Sequence, residues 1–289
     1  MDRIASGQSG HYRRACRLDQ GFTIATWVLG AAGLALPITI IGFLLVRGIS
    51  YISWDFITLG PKGFPLGTAG GIWPAIEGSL ALVGIGLLIA VPLGVGGAVY
   101  LAEYAKSKPL IAAFRFTMEC LAGIPAIVYG LFGYSFLVIF LALNVSLLAG
   151  GITLGLVMFP IIFIGSQEAM ESVEDEYREA ALSLGVTKSY MIRRIIIGKA
   201  TPGILAVTTL AAGHAFGSAA PVLYTAAVIF VRGGLDLSAP VMTLPTHLYF
   251  LVGEATSFGH AYGTALVLVV ILLLANFATM CLNAYMRRG

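Results

Sequence analysis

Few side chains in this sequence are suited to binding or moving an ion, and these lie within or beside long apolar segments. His214 and Ser218 stand four residues apart in one such segment, and Glu77 lies near the start of another. A neutral imidazole donates one hydrogen bond and a protonated one donates two, so His214 could bind an oxyanion. An ionisable side chain inside a membrane span is a functional candidate by default. These three residues are therefore candidates for an ion pathway, with ordinary packing of His214 as the alternative.

The sequence lacks the motifs of the common catalytic centres. It has no Gly-x4-Gly-Lys-Ser/Thr phosphate-binding loop, no His-Glu-x-x-His zinc motif and no Gly-x-Ser-x-Gly nucleophile elbow. The four histidines are widely separated, and the three cysteines lack a metal-ligand spacing. We therefore expect no catalytic residue, metal or cofactor on this chain, and free thiols at Cys16, Cys120 and Cys281.

A polar segment, residues 168–194, interrupts the apolar sequence and carries six of the 14 acidic residues. Ser172 followed by Glu176 is typical of a helix start, and Gly185 supplies the left-handed residue with which a helix can end. Thr187 then predicts the cap of a second helix. Two helices around a tight turn would project from a membrane as a rigid contact for a soluble partner. A solvated charged surface is the alternative interpretation.

The composition indicates a membrane protein. Hydrophobic residues make up 58% of the 289 residues, charged residues make up 11%, and the mean hydropathy is +0.92. A soluble protein of this composition would expose too much apolar surface to water. A transmembrane helix needs about 20 mostly apolar residues. We therefore predict an all-α polytopic membrane protein with six spans: residues 21–46, 74–103, 109–142, 146–167, 199–231 and 258–285.

Basic residues are distributed unevenly between the two predicted membrane faces. If both termini are cytoplasmic, 14 of the 17 Lys and Arg residues lie on the cytoplasmic side, and only Arg47, Lys62 and Arg232 do not. The positive-inside rule predicts this asymmetry for six spans. Topology and contact with the lipid surface thereby account for the net charge of +3, and we expect no nucleic-acid partner.

Prolines and glycines are concentrated inside the apolar segments. Pro92, Pro125 and Pro160 are expected to kink their helices. Small residues let neighbouring membrane helices approach closely. The glycines expected to do so are Gly94, Gly96, Gly97, Gly151, Gly155, Gly213 and Gly217.

Two local features lie outside the centres of the spans. Residues 48–73 form a predicted external loop, in which Ser53 is expected to cap a short helix. At the other membrane face, Arg115 precedes Glu119 by four residues, which is the spacing of an ion pair within a helix. We expect such pairing to be the role of the acidic residues near the cytoplasmic span ends, including Glu103.

The chain resembles the A-type permease subunit of phosphate-specific ATP-binding-cassette (ABC) importers over nearly its whole length. The stretch Glu179, Ala180, Ala181 and Leu182, followed by Gly185, resembles the cytoplasmic coupling motif of ABC importer permeases. Other stretches that resemble the phosphate subgroup follow in the same order: residues 45–48, 71–76, 92–94, 100–105, 121–133, 202–205 and 243–249. Their order and spacing together support the resemblance.

This resemblance implies a type I ABC importer permease fold in a prokaryotic cytoplasmic (inner) membrane. Residues 1–20 would be a cytoplasmic N-terminal segment. Residues 21–289 would be the six-helix transmembrane permease domain, and residues 168–198 would be its cytoplasmic coupling loop.

The resemblance also implies a set of partners. A second, C-type permease subunit would pair with this chain, and two cytoplasmic ATPase subunits would bind ATP and Mg²⁺. Residues 179–185 would contact the ATPases. An external phosphate-binding protein would deliver the anion to residues 48–73 and 231–244.

The sequence departs from the family pattern at positions expected to lie on the anion path. Ile164 stands where the family usually has an arginine, and His214 and Ser218 stand where it usually has an arginine and a glutamate. Loss of the last two charges together could be a paired structural replacement. It could also reflect a changed substrate, or a path whose charge comes mainly from the partner permease. Sulfate, molybdate or tungstate is therefore the alternative to phosphate.

Two other functional classes fit this sequence less well than an ATP-driven permease. A channel or secondary transporter would need intramembrane ionisable relays or inverted repeats, and we find no such match between the two halves of the sequence. A membrane scaffold would fit the helices and the charge asymmetry. Neither class needs a coupling motif, so the motif favours an ATP-driven permease that imports inorganic phosphate.

Overall fold

A computed structural model describes residues 2–63, 69–228, 234–253 and 257–286 of the chain, and this part is mostly helical. Its α-helices are α1 (Asp2–Gly48), α2 (Trp54–Thr58), α3 (Trp73–Val99), α4 (Lys108–Ala122), α5 (Ala126–Gly133), α6 (Leu147–Glu171), α7 (Asp175–Ser183), α8 (Lys188–Tyr190), α9 (Ile197–Phe216), α10 (Ala220–Leu223), α11 (Leu244–Gly253) and α12 (Phe258–Met286). Two short strands, β1 (Pro61–Lys62) and β2 (Ala69–Gly70), pair antiparallel.

Several of these helices are extended by turns of other geometry. A 3₁₀ turn, Ile49–Tyr51, follows α1. π-helical turns follow α3 (Tyr100–Tyr104) and α5 (Tyr134–Phe140), and a third (Met191–Ile196) joins α8 to α9. Such π turns are rare and frequently lie at functional sites. The first and third lie at the end of the helix bundle that carries α7, next to the predicted coupling loop.

Among the described residues, five helices are long and apolar enough to cross a membrane. They are Asp19–Tyr51, Trp73–Tyr104, Leu147–Glu171, Lys188–Phe216 and Phe258–Tyr285. The predicted spans 21–46, 74–103, 146–167 and 258–285 agree with four of them to within a few residues. The all-α polytopic architecture is therefore confirmed.

The predicted third span, residues 109–142, is not one continuous helix. It consists of α4 and then α5 with its π-helical extension, and these two parts meet at an angle of 93°. Pro125 lies in the break, where its ring disfavours a helical conformation of the preceding residue. The expected kink at Pro125 is thus confirmed. Helices α3 and α6 continue through Pro92 and Pro160, and a kink at either residue stays a prediction.

The predicted fifth span, residues 199–231, is wrong at both ends. The helix begins at Lys188, as one run of α8, the π turn and α9, and it ends at Phe216. Gly217 follows the last helical residue, and Pro221 lies at the start of the separate helix α10. The apolar character continues beyond Phe216 because several of these residues, including Val222 and Ala226, are buried in short turns.

Helices α3 and α6 pack along each other through glycines. Close approach is confirmed at Gly94, Gly97, Gly151 and Gly155. A Cβ at Gly94 would lie 2.9 Å from a side-chain atom of Ile162, and one at Gly97 would lie 2.6 Å from the ring of Phe163. The prediction for Gly96 is wrong, since a Cβ there would meet no atom within 4 Å. The predicted close packing of Gly213 and Gly217 is also wrong, because a Cβ at either would meet its nearest atom only at 3.7 Å.

Loops close the bundle at the end remote from α7. Ser53 caps α2 as predicted, and its hydroxyl accepts a hydrogen bond from the Phe56 amide at 3.1 Å. At the start of α6, the Leu147 amide donates to the Ala239 carbonyl at 2.8 Å. This bond satisfies one of the amides that a helix start leaves free. Of the predicted partner-facing loop 231–244, the first three residues lie outside the described part of the chain.

Candidate functional site

The predicted coupling loop, residues 168–198, lies at one end of the bundle and contains α7 at its centre. Helix α7 has two acidic residues, Asp175 and Glu176, in its first turn. Negative side chains at this position interact favourably with the helix dipole. The prediction that Ser172 opens this helix is wrong, because α6 extends to Glu171 and Ser172 caps its end.

Gly185 turns the chain sharply after α7. Its φ of +71° lies in the left-handed region, as the sequence predicts. The Gly185 amide donates to the Leu182 carbonyl at 3.0 Å, and the Val186 amide donates to the Ala181 carbonyl at 3.2 Å. These bonds satisfy carbonyls that the end of a helix leaves free. The two arms of the loop are therefore joined by a hydrogen-bonded turn.

Thr187 begins the second arm of the coupling loop, as predicted. Its hydroxyl accepts a hydrogen bond from the Tyr190 amide at 3.4 Å. The helix then continues through the π turn into α9, so this arm is the start of a membrane span. The backbone thus connects the turn at Gly185 to α9 on one side and, through α7, to α6 on the other.

One side of α7 is buried and the other is exposed. Ala181 is only 3% exposed and packs in an apolar cluster with Met191 and Ile192 of the π turn. The exposed residues Glu179, Ala180, Leu182, Leu184 and Gly185 form what we call the docking face. Leu182 is 57% exposed and Leu184 is 82% exposed. The docking face thus presents apolar side chains on an otherwise polar loop, which suits contact with another protein.

Arg178 connects α7 to three neighbouring segments. Its Nε and Nη2 donate to the Glu103 carboxylate at 3.2 and 2.9 Å. Nη2 also donates to the Met170 carbonyl at 3.0 Å, and Nη1 donates to the Val173 carbonyl at 2.6 Å and the Asp175 carboxylate at 3.0 Å. A guanidinium has five N–H donors. All five are therefore used, and they connect α7 to the ends of α3 and α6.

Lys188, in the second arm of the loop, contacts the same end of α3. Its ammonium donates to the main-chain carbonyl of Glu103 and lies 4.9 Å from the centre of the Tyr104 ring. Sequence-based reasoning treated Arg178 and Lys188 only as charges that mark the membrane side. The position of Arg178 immediately before the coupling motif was the available signal for a more specific role.

The predicted ion pair on α4 is present. Arg115 Nε lies 3.1 Å from the Glu119 carboxylate, and Arg115 Nη2 lies 3.4 Å from that of Glu168 at the end of α6. These side chains are each about half exposed. Exposed pairs of this kind contribute roughly 0–1 kcal/mol to stability.

The four predicted pathway residues lie in different surroundings. His214 is exposed near the end of α9. Ser218 follows the end of that helix, so the two residues are not one helical turn apart as the sequence predicts. Ile164 packs against a small apolar cluster between α4 and α6, and Glu77 is half-buried on α3. The structure therefore does not bring these four side chains together around one binding position.

Ser218 lines a narrow crevice of about 10 Å³ together with Ser79 and Thr243. The Ser79 hydroxyl accepts a hydrogen bond from the Leu244 amide at 2.8 Å, and the Thr243 and Thr246 hydroxyl oxygens are 2.7 Å apart. Sequence-based reasoning did not select Ser79 or Thr243. These hydroxyl groups are neutral, and the crevice has room for no more than about one water molecule.

Residues 90–289, which include the whole coupling loop, match the family "Binding-protein-dependent transport system inner membrane component". Two relatives cover most of the chain. The "Probable ABC transporter permease protein YqgI" of Bacillus subtilis is 29% identical over 275 residues, which cover 88% of this chain and 92% of that protein. The "Phosphate transport system permease protein PstA 1" of Mycobacterium tuberculosis is 34% identical over 220 residues, which cover 73% of this chain and 69% of that protein.

The solved structure of the MetNI methionine ABC transporter has a similar fold. It superimposes with a TM-score of 0.60 over 75% of this chain and 94% of that chain, at 18% sequence identity. This likeness confirms the type I ABC importer permease fold that the resemblance implies. Together with the match over residues 90–289, it identifies a multi-pass transport subunit. The chain belongs to the family of binding-protein-dependent transport system inner membrane components.

Proposed function

We propose that this chain is the permease subunit of an ATP-driven importer that moves inorganic phosphate into the cytoplasm. The observation that supports this most strongly is the docking face on α7. It is exposed and partly apolar, and the backbone connects it to α6 on one side and, through a hydrogen-bonded turn, to α9 on the other. A channel or a passive scaffold has no need of such a surface.

Phosphate is the proposed cargo because the PstA relatives are phosphate permeases by name and similar to this chain over most of its length. The departures at Ile164, His214 and Ser218 remove fixed charges that phosphate permeases usually have. We place His214, Ser218, Ile164 and Glu77 along the path, with hydroxyl and imidazole donors in place of arginine. Neutral donors bind an anion less tightly than a guanidinium does, which favours release of the cargo.

The proposed complex contains a second, C-type permease subunit, two cytoplasmic ATPase subunits and an external phosphate-binding protein. ATP and Mg²⁺ bind to the ATPases, and this chain supplies no catalytic residue. Both termini lie in the cytoplasm of a prokaryotic cell, on the same side of the inner membrane as residues 168–198. Residues 48–73 and 231–244 face the binding protein on the other side.

In this mechanism the ATPase subunits contact the docking face and close on ATP. Their closure displaces α7, which passes the displacement directly to α6 and, through the turn at Gly185, to α9. The path between the two permease subunits then opens outward and receives the anion from the binding protein. Hydrolysis of ATP resets the ATPases and returns the path to its inward-open form.

Uptake of radiolabelled phosphate into proteoliposomes tests this proposal. The complete complex, with ATP on the ATPase side and binding protein on the other, is expected to accumulate phosphate. Omission of ATP, or substitution of Leu182 by Asp in the docking face, is expected to abolish uptake. Accumulation that is independent of ATP would contradict the proposal and indicate a channel or secondary transporter.

A further inference from the structure

We propose that Glu103 and Arg178 form a latch through which the second membrane span, Trp73–Tyr104, moves together with the coupling loop. The inference rests on the proposed function, because it concerns how ATPase motion enters the permease. Helix α7 is joined by the backbone to α6 directly and to α9 through the Gly185 turn. It has no backbone connection to α3. The contacts of Arg178 and Lys188 with the π turn Tyr100–Tyr104 supply that connection.

The latch is partly enclosed by protein. The side chain of Glu103 is 5% exposed and that of Arg178 is 19% exposed. Arginine stays charged at all physiological pH values, and its planar fork holds a fixed geometry. Removing one member of a buried ion pair leaves the other charge uncompensated, which is strongly unfavourable. The two side chains therefore resist separation when α7 is displaced.

Both arms of the coupling loop contact the π turn Tyr100–Tyr104. Arg178, before Gly185, binds the carboxylate of Glu103, while Lys188, after Gly185, binds its main-chain carbonyl. The ammonium of Lys188 also lies over the Tyr104 ring, in the geometry of a cation–π contact. Displacement of the coupling loop thus acts on the end of α3 through both Arg178 and Lys188.

Motion of α3 also reaches the opposite end of the bundle. Helix α3 packs tightly along α6 at Gly94 and Gly97, so it moves as a rigid element. Near its other end, Ser79 holds the Leu244 amide and lines the crevice that includes Ser218. Glu103 and Arg178 are therefore positioning residues, which act through α3 on a region far from the ATPase contact.

The first experiment uses Glu103→Gln and Arg178→Lys in the full reconstituted complex. Glu103→Gln removes the charge but keeps the shape, and Arg178→Lys keeps the charge but replaces the planar five-donor guanidinium by an ammonium with three donors. We expect both variants to assemble and hydrolyse ATP, while anion uptake per ATP hydrolysed falls at least about fivefold, the lower end of typical coupling between sites. Because both break the same latch, the double variant is expected to be no worse than the more impaired single variant.

Glu119→Gln is the matched control, because it removes a carboxylate from an exposed ion pair on α4 without touching α7. It should leave uptake per ATP unchanged. Unchanged uptake per ATP in Glu103→Gln and Arg178→Lys would overturn the latch. A loss confined to complex assembly in both variants would overturn it as well, since that result indicates a structural role alone.

A second measurement does not depend on the identity of the cargo. Spin labels at Ser183 on α7 and Lys106 after the π turn, both exposed, report the distance between the coupling loop and the end of α3. With the latch intact, this distance stays constant when the ATPases bind a non-hydrolysable ATP analogue, and in Glu103→Gln it changes. A change in the unmodified complex would overturn the latch. Failure of the complex to import phosphate would contradict the proposed cargo. The distance between the two spin labels would still test the latch, because it does not depend on the cargo.

Discussion

The amide of Val186 donates a hydrogen bond to the carbonyl of Ala181 at 3.2 Å, across the turn that Gly185 makes possible. Ala181 is buried at the base of the loop, whereas its neighbours Ala180 and Leu182 are exposed. The same short segment therefore supplies an internal anchor and an external contact surface. A rigid turn of this kind can transmit a force that a flexible acidic loop would dissipate.

Substitution of Gly185 by Pro should uncouple ATP hydrolysis from transport. Proline requires a negative φ, whereas Gly185 has a φ of +71°. Gly185→Ala should have a smaller effect, since a Cβ there meets no atom within 4 Å and only the left-handed backbone is penalised, by about 1–2 kcal/mol. The ratio of anion uptake to ATP hydrolysis measures the coupling.

Gly198→Ala is the control for Gly185→Ala. A Cβ at Gly198 also meets no atom within 4 Å, but the residue lies inside α9 and is not among the glycines with positive φ. Its coupling ratio should match that of the unmodified chain. Full coupling in Gly185→Pro would count against a rigid turn as the transmitting element.

Substitution of Leu182 or Leu184 by Ser should weaken ATPase association without destabilising the isolated chain. Burial of a leucine side chain in an interface contributes roughly 1.5–3 kcal/mol, and 1.4 kcal/mol corresponds to about a tenfold change in affinity. Leu237, at the opposite end of the bundle, is 57% exposed, as is Leu182, and provides the control Leu237→Ser. Equal ATPase affinity for the Leu182→Ser and Leu237→Ser variants would show that the docking face has been misassigned.

Substitution of His214 by Ala should impair uptake while leaving assembly of the complex intact. The side chain is exposed on α9, so its removal leaves no cavity in the core. His214→Gln, which retains a hydrogen-bond donor, should preserve more of the uptake than His214→Ala. Uptake assays in proteoliposomes give the comparison, and normal uptake by the Ala variant would remove His214 from the path.

Acidification should destabilise the chain through His247. This residue lies in α11, outside the candidate spans, and is only 6% exposed. Burial, together with the nearby charge of His260, lowers the pKa of His247 from 6.5 to about 4. Between these two pH values the unfolded chain binds a proton that the folded chain does not, so stability is complete above pH 6.5 and falls as the pH drops to about 4.

The loss in the free energy of unfolding follows from the difference between the two pKa values of His247, at 1.36 kcal/mol per pKa unit, and is about 3 kcal/mol. Thermal unfolding in detergent between pH 7 and pH 4 measures it. His247→Gln should reduce the pH dependence. An identical pH dependence in the unmodified chain and in His247→Gln would rule out His247 as the source.

Two glycines on α3 should respond differently to substitution by Ala. A Cβ at Gly78 would overlap the backbone carbonyl of Met242, which cannot move aside without displacing its loop. We expect Gly78→Ala to lower stability by about 1–3 kcal/mol. A Cβ at Gly84 meets no atom within 4 Å, so Gly84→Ala should be neutral or slightly stabilising. Thermal unfolding of both variants in detergent gives the comparison, and equal stabilities would contradict close packing at Gly78.

The sequence predicts the architecture well where one physical signal dominates. Apolar length alone locates four of the spans, since burial in lipid is the main constraint on these segments. The left-handed conformation of Gly185 and the caps formed by Ser53 and Thr187 were also predictable, because each depends on local backbone chemistry.

Features that depend on tertiary packing were not predictable from the sequence. The run 199–231 is mostly apolar, but its residues 217–228 form the short helix α10 and turns instead of extending α9. Ser172 has the residue type of a helix start, yet α6 continues up to it. The contact between Arg178 and Glu103 joins residues 75 positions apart, and charge pattern alone does not specify such a pair.

The most direct test of the central claim is ATP hydrolysis by the complete complex with its binding protein, in the presence of phosphate, sulfate or molybdate. We expect phosphate alone to stimulate hydrolysis, and the docking-face substitution of Leu182 by Asp to remove the stimulation. Stimulation by sulfate or molybdate alone would contradict the assigned cargo, and Ile164, His214 and Ser218 would then be the first positions to change. Hydrolysis unaffected by all three anions and by the substitution would contradict the coupling mechanism itself.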